Sequence, residues 1–544
     1  MSRSPWLNRH LVILTVLCLS SFFAFLDAVD VDLMEARNFV TAREMVSEHH
    51  WLVPTMNGEI RLAKPPMPTW FAALSAKLSG SMDSLAFLRL PSAMAACLLI
   101  FAVYGLSGAM GRHPQSGFLA AAMLATSLLA IDSGRTGTWD IFCHAFMAAG
   151  LWALWNGVHR QGGIPSFVLA GLALGLSFMS KGPVSFYALF LPFTLAYIAI
   201  FGITAIKRQW PGLTLALAVS LLLSCWWPLY IFFYHADLGL AVAHQEQEAW
   251  SNRHLQPFWY YWHFVVFSGG WLIWAAAALI RPYARLRSGD QKSHTFVLLW
   301  LVAAIILLSL IPEKKERYLL PAMLPLLLLA GDLAHGVIQR FAAHQDQPAD
   351  RALVRAHTAL MALLALALPV VLYFFVHRQG HAVDGWMVVY GIVSWGSALF
   401  LIRSLGRREV ERLLLTTMAI VALTTLASLH YYGVLTTKNK GYKRIDSHQL
   451  ARELGQTKVY FLGDPVDMRV IWDLGQRVYP WQLEEISQRL TQGEPVAVLS
   501  KGDPLPLLPP ALHDEVVINT IDTFDYNKKP SSKRRIHLSL LRLP

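Results

Sequence analysis

The chain has 544 residues, of which 55% are hydrophobic and only 15% charged, well below the charged share of about 25% usual for a soluble protein. With a mean hydropathy of +0.42, this excludes an ordinary soluble enzyme and points to a chain that crosses a membrane many times. The formal net charge of +11 fits Lys and Arg facing anionic lipid, and no nucleic-acid-binding module is visible.

In chain order, SRSPWLNRH followed by the apolar run from Leu11 to about Phe25 is built like a signal peptide. No A-x-A cleavage site follows, so the run is expected to stay as an uncleaved first membrane helix. A helical span needs about 20 mostly apolar residues. Such runs are predicted at 10–28, 85–108, 115–132, 139–157, 165–180, 184–203, 211–233, 260–280, 295–311, 319–337, 357–377, 386–403 and 413–431, roughly thirteen spans in all. Arg112, Arg160, Lys207 and Arg208 share one side with Arg281, Arg285, Arg287, Lys292, Arg340, Arg351, Arg355, Arg403, Arg407, Arg408 and Arg412. By the positive-inside rule that side is cytoplasmic, as is the N-terminus, and the C-terminus lies outside. Cys18, Cys97, Cys143 and Cys225 sit in or beside apolar runs without a C-x-x-C, so neither a disulfide framework nor a metal site is expected of them.

The first outer loop, Asp32–Trp70, is dense in charge, Pro and Trp. DLMEARNFVTAREM is compatible with a helix that puts Asp32 and Glu35 on one face, with Arg37 close by. WLVPTMNGEIRL reads as two extended segments around a turn at Asn57-Gly58 and carries Arg61. KPPMPTW is a rigid approach to the next helix that presents Lys64. The bland reading of this loop is a solvated interfacial helix whose charges only pair with one another. Three more loops on the same side carry ionisable groups. RTGTWD holds Arg135 and Asp140, where Asp140 is also placed to cap a helix. EQEAWSNRHLQPFWYYWHF holds Glu246, Glu248, Arg253, His254 and Trp259. PEKKERYLLP holds Lys314, Lys315, Arg317 and Tyr318. Polar groups gathered at this density beside membrane spans form a functional-site hypothesis by default. His49, His50, His254 and His263 show no H-x-x-x-H or H-E-x-x-H spacing and are expected in structural or polar contacts.

Beyond about residue 440 the pattern changes. KVYFLG, PVAVLS, EVVINT and RIHLSL are short strand-like runs, with helical patterns at Ile445–Leu454 and near Leu483–Leu490. A small α/β domain outside the membrane is predicted. KKPSSKRR, Lys528–Arg535, is a basic cluster that reads either as a solvated loop or as a contact for anionic head groups.

Cations at a membrane boundary suit a lipid-linked phosphate, a carboxylate suits activation of an acceptor hydroxyl or amine, and Trp and Tyr suit a sugar face. Transfer of a sugar from a polyprenyl phosphate uses all three. No G-x-G-x-x-G or Walker pattern is present for a soluble nucleotide donor.

The succession E-A-R-N, A-R-E-M, W-L-V-P-T-M-N-G, R-L-A-K-P-P, S-K-G-P, H-L-Q-P-F-W-Y-Y and K-K-E-R-Y-L-L-P resembles the bacterial dolichyl-phosphate-mannose protein mannosyltransferase-like family, which includes the lipid A aminoarabinose transferases. The resemblance covers about residues 10–330. It implies a GT-C fold: an α-helical polytopic membrane domain (1–435, with its first periplasmic loop at about 29–84) and a periplasmic α/β domain (436–544). It also implies a location in the bacterial inner membrane. The implied activity is inverting transfer from an undecaprenyl-phosphate sugar to a periplasmic acceptor, lipid A or another cell-envelope glycolipid, with no cofactor required and a divalent metal compatible. The family's first-loop carboxylate is the Asp of an adjacent Asp-Glu pair. Here Glu35 matches the Glu, Met34 stands at the Asp position, and Asp32 is the nearest substitute. The resemblance thus implies Asp32 as base, Glu35 beside it and Asp140 as the second-loop acid. It places Lys64, Arg37, Arg253, Lys314, Arg317 and Tyr318 about the donor phosphate, with Arg61, His254 and Trp259 lining the substrate. Three other readings remain: a protein O-glycosyltransferase of the same fold, a lipid transporter, and a non-catalytic binding protein. A transporter predicts ionisable groups near helix centres, whereas here they cluster at helix ends.

Overall fold

The computed structural model describes residues 5–160, 162–242, 254–455, 457–463, 467–513, 516–529, 531 and 534–544. The chain divides into two compact units. The first comprises Met1–Leu26, Leu62–Phe71 and Arg89–His430, and the second Asp27–Arg61, Ala72–Leu88 and Tyr431–Pro544.

The first unit is helical and multi-pass. Among the described residues nine helices are long and apolar enough to cross a membrane: Leu85–Ala109, Trp139–His159, Gly163–Lys181, Trp210–Tyr234, Gln291–Leu310, Glu316–Ala342, Pro348–Arg378, Gly385–Gly406 and Val410–His430. The other four predicted spans are interrupted, each with a local cause. The first, Pro5–Cys18, ends in a π-turn at Leu19–Phe23. The third breaks by 61° between Pro114–Ala125 and Leu128–Arg135, where the Ser127 hydroxyl accepts from the Ala130 amide and starts a new helix. The sixth is a π-turn, Phe186–Phe190, running into Leu191–Phe201 with Pro192 in its first turn. The eighth is a 3-10 segment, Phe258–Trp271, broken at Gly269 (φ 64°) and followed by Leu272–Ala278. Apolar content reports a run of membrane length but not the backbone breaks inside it.

The innermost helix of this unit is Leu320–Ala342, buried along nearly its whole length, as its almost unbroken apolar composition requires. It packs on Pro114–Ala125 so closely that a Cβ at Gly331 would lie 2.7 Å from the Ala120 amide nitrogen and the Ser116 carbonyl oxygen. Glycine is the residue that lets the two backbones touch there.

In the second unit, helix Leu33–Ser47 begins at Asp32, which forms a capping box with Glu35. The predicted hairpin is present: β1 (Thr55–Met56) pairs antiparallel with β2 (Glu59–Ile60) around Asn57 (φ 56°) and Gly58 (φ 80°), the left-handed pair that an Asn-Gly turn supplies. The C-terminal part forms a five-stranded sheet of β3 (Val459–Leu462), β4 (Val478–Pro480), β5 (Val496–Ser500), β6 (Val517–Asp525) and β7 (Arg535–Arg542), in the order β4-β3-β5-β7-β6. β3 runs parallel to β4 and β5, and β7 antiparallel to β5 and β6. β5 is buried at every position, which matches its continuous VAVL run. Helix Leu483–Thr491 covers the sheet through Ile486 and Leu490, which pack with Tyr460, Val498 and Leu541. β4 and helix Met468–Leu474 are additions to the sequence expectation, because each is too short to show a period.

Helix Leu33–Ser47 is not the solvated helix of the bland reading. Nine of its residues, including Glu35, Phe39, Glu44 and Met45, are buried. It packs against helix Met468–Leu474, with Phe39 and Trp472 rings 5.4 Å apart. The Arg43 guanidinium lies 4.4 Å over the Trp472 ring, donates to the Trp472 carbonyl at 2.9 Å and pairs with Asp83 at 3.0 Å.

Candidate functional site

In the first unit the ionisable residues converge at Asp140. Thr138 is the N-cap of helix Trp139–His159, and Asp140 lies in the first turn, where the positive helix end favours a carboxylate. Asp140 is buried, only 3% exposed. Its partner is Lys181, the last residue of helix Gly163–Lys181, where the negative helix end favours a cation. Gly182 then turns the chain with φ 68°. Two helix termini of opposite polarity thus present a carboxylate and an ammonium to each other, and the two groups form a buried ion pair. Arg317 approaches the other Asp140 oxygen, Nε to Oδ2 3.8 Å. Tyr318 completes the group: the Lys181 ammonium lies 5.1 Å from its ring centroid, the Arg317 guanidinium 5.8 Å, and its hydroxyl reaches Glu313 at 3.4 Å. Glu313 also pairs with Lys315. The result is a largely buried patch of two carboxylates, Asp140 and Glu313, three cations, Lys181, Lys315 and Arg317, and an aromatic ring beside helix ends.

Lys181 is the functional candidate that residue-by-residue reading of the loops left out. Its signal was in the sequence, in S-K-G-P, but that tetrapeptide ends an apolar span and has no local partner. Only the fold brings it to Asp140, forty-one positions away.

Lys64 lies in the Leu62–Phe71 segment of the same unit and is half-buried. That segment is seated by aromatic pairs, Phe71 on Phe142 at 6.0 Å and Trp70 on Trp226 at 5.9 Å. Phe142 sits half a turn along the helix from Asp140. Lys314 is turned to its own loop, and its ammonium donates to the carbonyls of Ile311 (2.6 Å) and Gln256 (3.1 Å). Burial lowers its pKa. Its amide donates to the His254 carbonyl, beside a Leu255–Glu313 bridge. Lys314 therefore fastens two loops together. His254 is exposed, and Trp259 is 70% exposed. Arg135 donates to the carbonyls of Ser21 (3.1 Å), Ala24 (2.5 Å) and Phe25 (2.6 Å), closing the open end of the first helix. Glu246, Glu248 and Arg253 lie outside the described residues.

Asp32, Glu35, Arg37 and Arg61 belong to the second unit. Asp32 is exposed and its Oδ1 accepts from the Met34 and Glu35 amides, both at 2.7 Å. Buried Glu35 returns the contact, Oε2 accepting from the Asp32 amide at 3.4 Å. Arg37 and Arg61 are half-buried. Glu44, of A-R-E-M, accepts from the Thr55 hydroxyl at 2.6 Å and the Gly58 amide at 3.2 Å, and so holds the hairpin. His50 bonds Thr55 at 3.0 Å. Among the described residues no group of three or more His, Cys, Asp or Glu gathers as a metal site.

Residues 63–227 match the family model described as dolichyl-phosphate-mannose-protein mannosyltransferase. The chain is 28% identical to the undecaprenyl phosphate-alpha-4-amino-4-deoxy-L-arabinose arabinosyl transferase of Serratia proteamaculans, over 56% of this chain and 55% of that protein. It is also 28% identical to the corresponding transferase 1 of Sodalis glossinidius, over 66% and 63%. The match thus spans little more than half the length of the Serratia relative. In three dimensions the whole chain follows ArnT from Cupriavidus metallidurans bound to undecaprenyl phosphate, with a TM-score of 0.70 and 16% identity over 99% of this chain and 98% of that one. The apo form of the same protein gives a TM-score of 0.67. The fold is therefore the GT-C fold of ArnT, with a polytopic helical domain and a small C-terminal α/β domain.

Proposed function

We propose that this chain, which belongs with the dolichyl-phosphate-mannose-protein mannosyltransferase-like glycosyltransferases, moves a sugar from an undecaprenyl-phosphate donor to a periplasmic acceptor, lipid A or another cell-envelope glycolipid. The observation that carries the reading is the buried Asp140–Lys181 pair with Arg317 and Tyr318 beside it. It is a cationic, aromatic patch set at helix ends, on a fold shared with a protein whose structure holds undecaprenyl phosphate.

In this reading the cations stabilise charge on the departing phosphate. Lys64 and Arg317 act on it directly. Asp140 takes the positioning role, because its carboxylate already neutralises Lys181 and holds Arg317. Asp32, exposed, takes the proton from the acceptor hydroxyl or amine, while Glu35 holds the Asp32 backbone. The acceptor oxygen or nitrogen forms a bond to the anomeric carbon, the carbon–oxygen bond to phosphate breaks, the lipid phosphate leaves with the electron pair, and the sugar inverts. Lys314 supports the loop that carries Arg317 and Tyr318. The chain resides in the inner membrane, with the domain of residues 436–544 in the periplasm and residues 1–435 forming the membrane domain.

Mass spectrometry of lipid A and total glycolipids from cells with and without the gene tests this reading. A mass increment of one sugar is expected, lost in Asp32→Asn, Lys64→Ala and Lys181→Ala. Unchanged lipids with abundant, folded protein would sink the glycolipid reading. The family description itself names protein mannosyl transfer, so the same extracts are searched for glycosylated periplasmic proteins.

A further inference from the structure

A cavity of about 340 Å³ lies within the C-terminal α/β domain, lined by Asp467, Arg469, Val470, Lys501, Tyr526, Arg534 and Ile536. Its volume is in the range of small-ligand sites, which begin at about 300 Å³. Three cations face one carboxylate, and that carboxylate is already engaged: Arg469 grips Asp467 with two guanidinium nitrogens, Nε to Oδ1 at 2.9 Å. The lining is therefore positive on balance. One wall is apolar, formed by Val470, Ile536 and the ring of Tyr526, whose hydroxyl is turned away to Asp473 at 2.7 Å.

Of the described cations in the basic run Lys528–Arg535, Arg534 is the one that lines this cavity. Lys528 pairs with Asp30 at 2.7 Å and Arg535 with Asp525 at 3.4 Å, both structural uses, whereas Arg534 is exposed and lines the cavity. An ammonium and two guanidinium groups around an aromatic-aliphatic wall match a phosphate attached to a sugar ring. The cations take the anionic oxygens and the Tyr526 face takes the ring.

We propose that this cavity of the C-terminal domain binds a phosphorylated sugar, as a phosphomonoester. The source is either a phosphorylated glycolipid head group or a free sugar phosphate. Full-length protein in phosphatidylcholine nanodiscs would be titrated calorimetrically with glucose 1-phosphate, inorganic phosphate and glucose. Glucose 1-phosphate is expected to bind, to bind more tightly than inorganic phosphate, and to lose about tenfold or more in affinity in the Lys501→Gln/Arg534→Gln protein. Glucose alone is expected not to bind. Arg489→Gln, on the surface of the same domain and paired with Glu485 and Glu494, is expected to bind as wild type does, and unchanged thermal melting of all variants controls for folding. No binding, or binding unaffected by the double variant, overturns the site. Equal affinity for inorganic phosphate overturns it as a sugar site. Nanodiscs doped with a monophosphorylated diglucosamine lipid separate the sources: weakened apparent glucose 1-phosphate binding assigns the site to the head group, and unchanged binding assigns it to the soluble ligand. None of these arms needs sugar transfer, so a chain that binds but transfers nothing keeps this site and overturns only the transferase reading.

Discussion

Asp140 and Lys181 are each less than a tenth exposed, and burying two charges is tolerable only while they face each other. Removing one leaves the other uncompensated, at about 3–5 kcal/mol. Lys181→Ala is therefore expected to lower the thermal midpoint of the purified protein sharply, while the double variant Asp140→Asn/Lys181→Met recovers most of it and still transfers no sugar. A double variant no more stable than Lys181→Ala would show that the two groups are not energetically paired. A second residue-scale test concerns Asp30. Burial pushes its carboxyl pKa up, but the Lys528 ammonium and the Arg444 guanidinium pull harder in the other direction, so it sits below its ordinary value. Its contribution to stability is then present above the unfolded value of about 3.9 and lost as the pH falls through the lower folded value. Hydrogen exchange around residues 27–33, corrected for intrinsic rate, should show protection that falls on acidification below about pH 4. In Asp30→Asn that protection should be low at both pH values. Protection that stays constant in the wild type would remove Asp30 as an anchor.

At the scale of elements, the Asn57-Gly58 turn is legible in the sequence, because the dipeptide itself supplies the left-handed backbone. What the turn is for is not legible there. The Asn57 side chain donates to the Val478 carbonyl at 2.7 Å and accepts from the Val478 amide at 2.9 Å, completing the edge of β4. Asn57→Ala should cost about 1–3 kcal/mol by stranding those two groups, read as faster amide exchange at Val478. Gly58→Ala adds a left-handed penalty of about 1–2 kcal/mol, and its Cβ would meet the Arg477 guanidinium at 1.9 Å. If neither change alters the thermal midpoint, the hairpin is not fastened to the sheet as described. The capping box at Asp32 and Glu35 belongs to this scale too. Three-residue spacing put both carboxylates on one helix face, and the fold uses that spacing to start the helix while leaving Asp32 at the surface.

At the scale of the whole molecule, two units share one chain, and the second gathers the first loop with the C-terminal domain. Arg444 is at the centre of that union. It donates to Asp30 at 2.8 Å and to both Asp473 oxygens at 2.5 and 2.9 Å, while Tyr442 and Tyr526 bond the same two carboxylates. A periplasmic C-terminus is expected to make an alkaline phosphatase fusion at residue 544 active, whereas a fusion in the loop near Arg408 stays inactive. The reverse pattern would invert the proposed orientation and remove the periplasmic site with it.

The sequence by itself determined the class of molecule, the number and approximate place of the apolar runs, the Asn-Gly hairpin, four of the strands in the C-terminal sheet, and the loops in which charge collects. These follow from composition and local periodicity, which a chain carries wherever it folds. Tertiary structure alone decided that Lys181 meets Asp140, that Lys314 and Arg135 are spent on backbone carbonyls, and that Asp30 and Asp473 share Arg444. Each of these depends on groups far apart in the chain becoming neighbours, and a buried charge takes its meaning from the partner that neutralises it rather than from its position along the sequence.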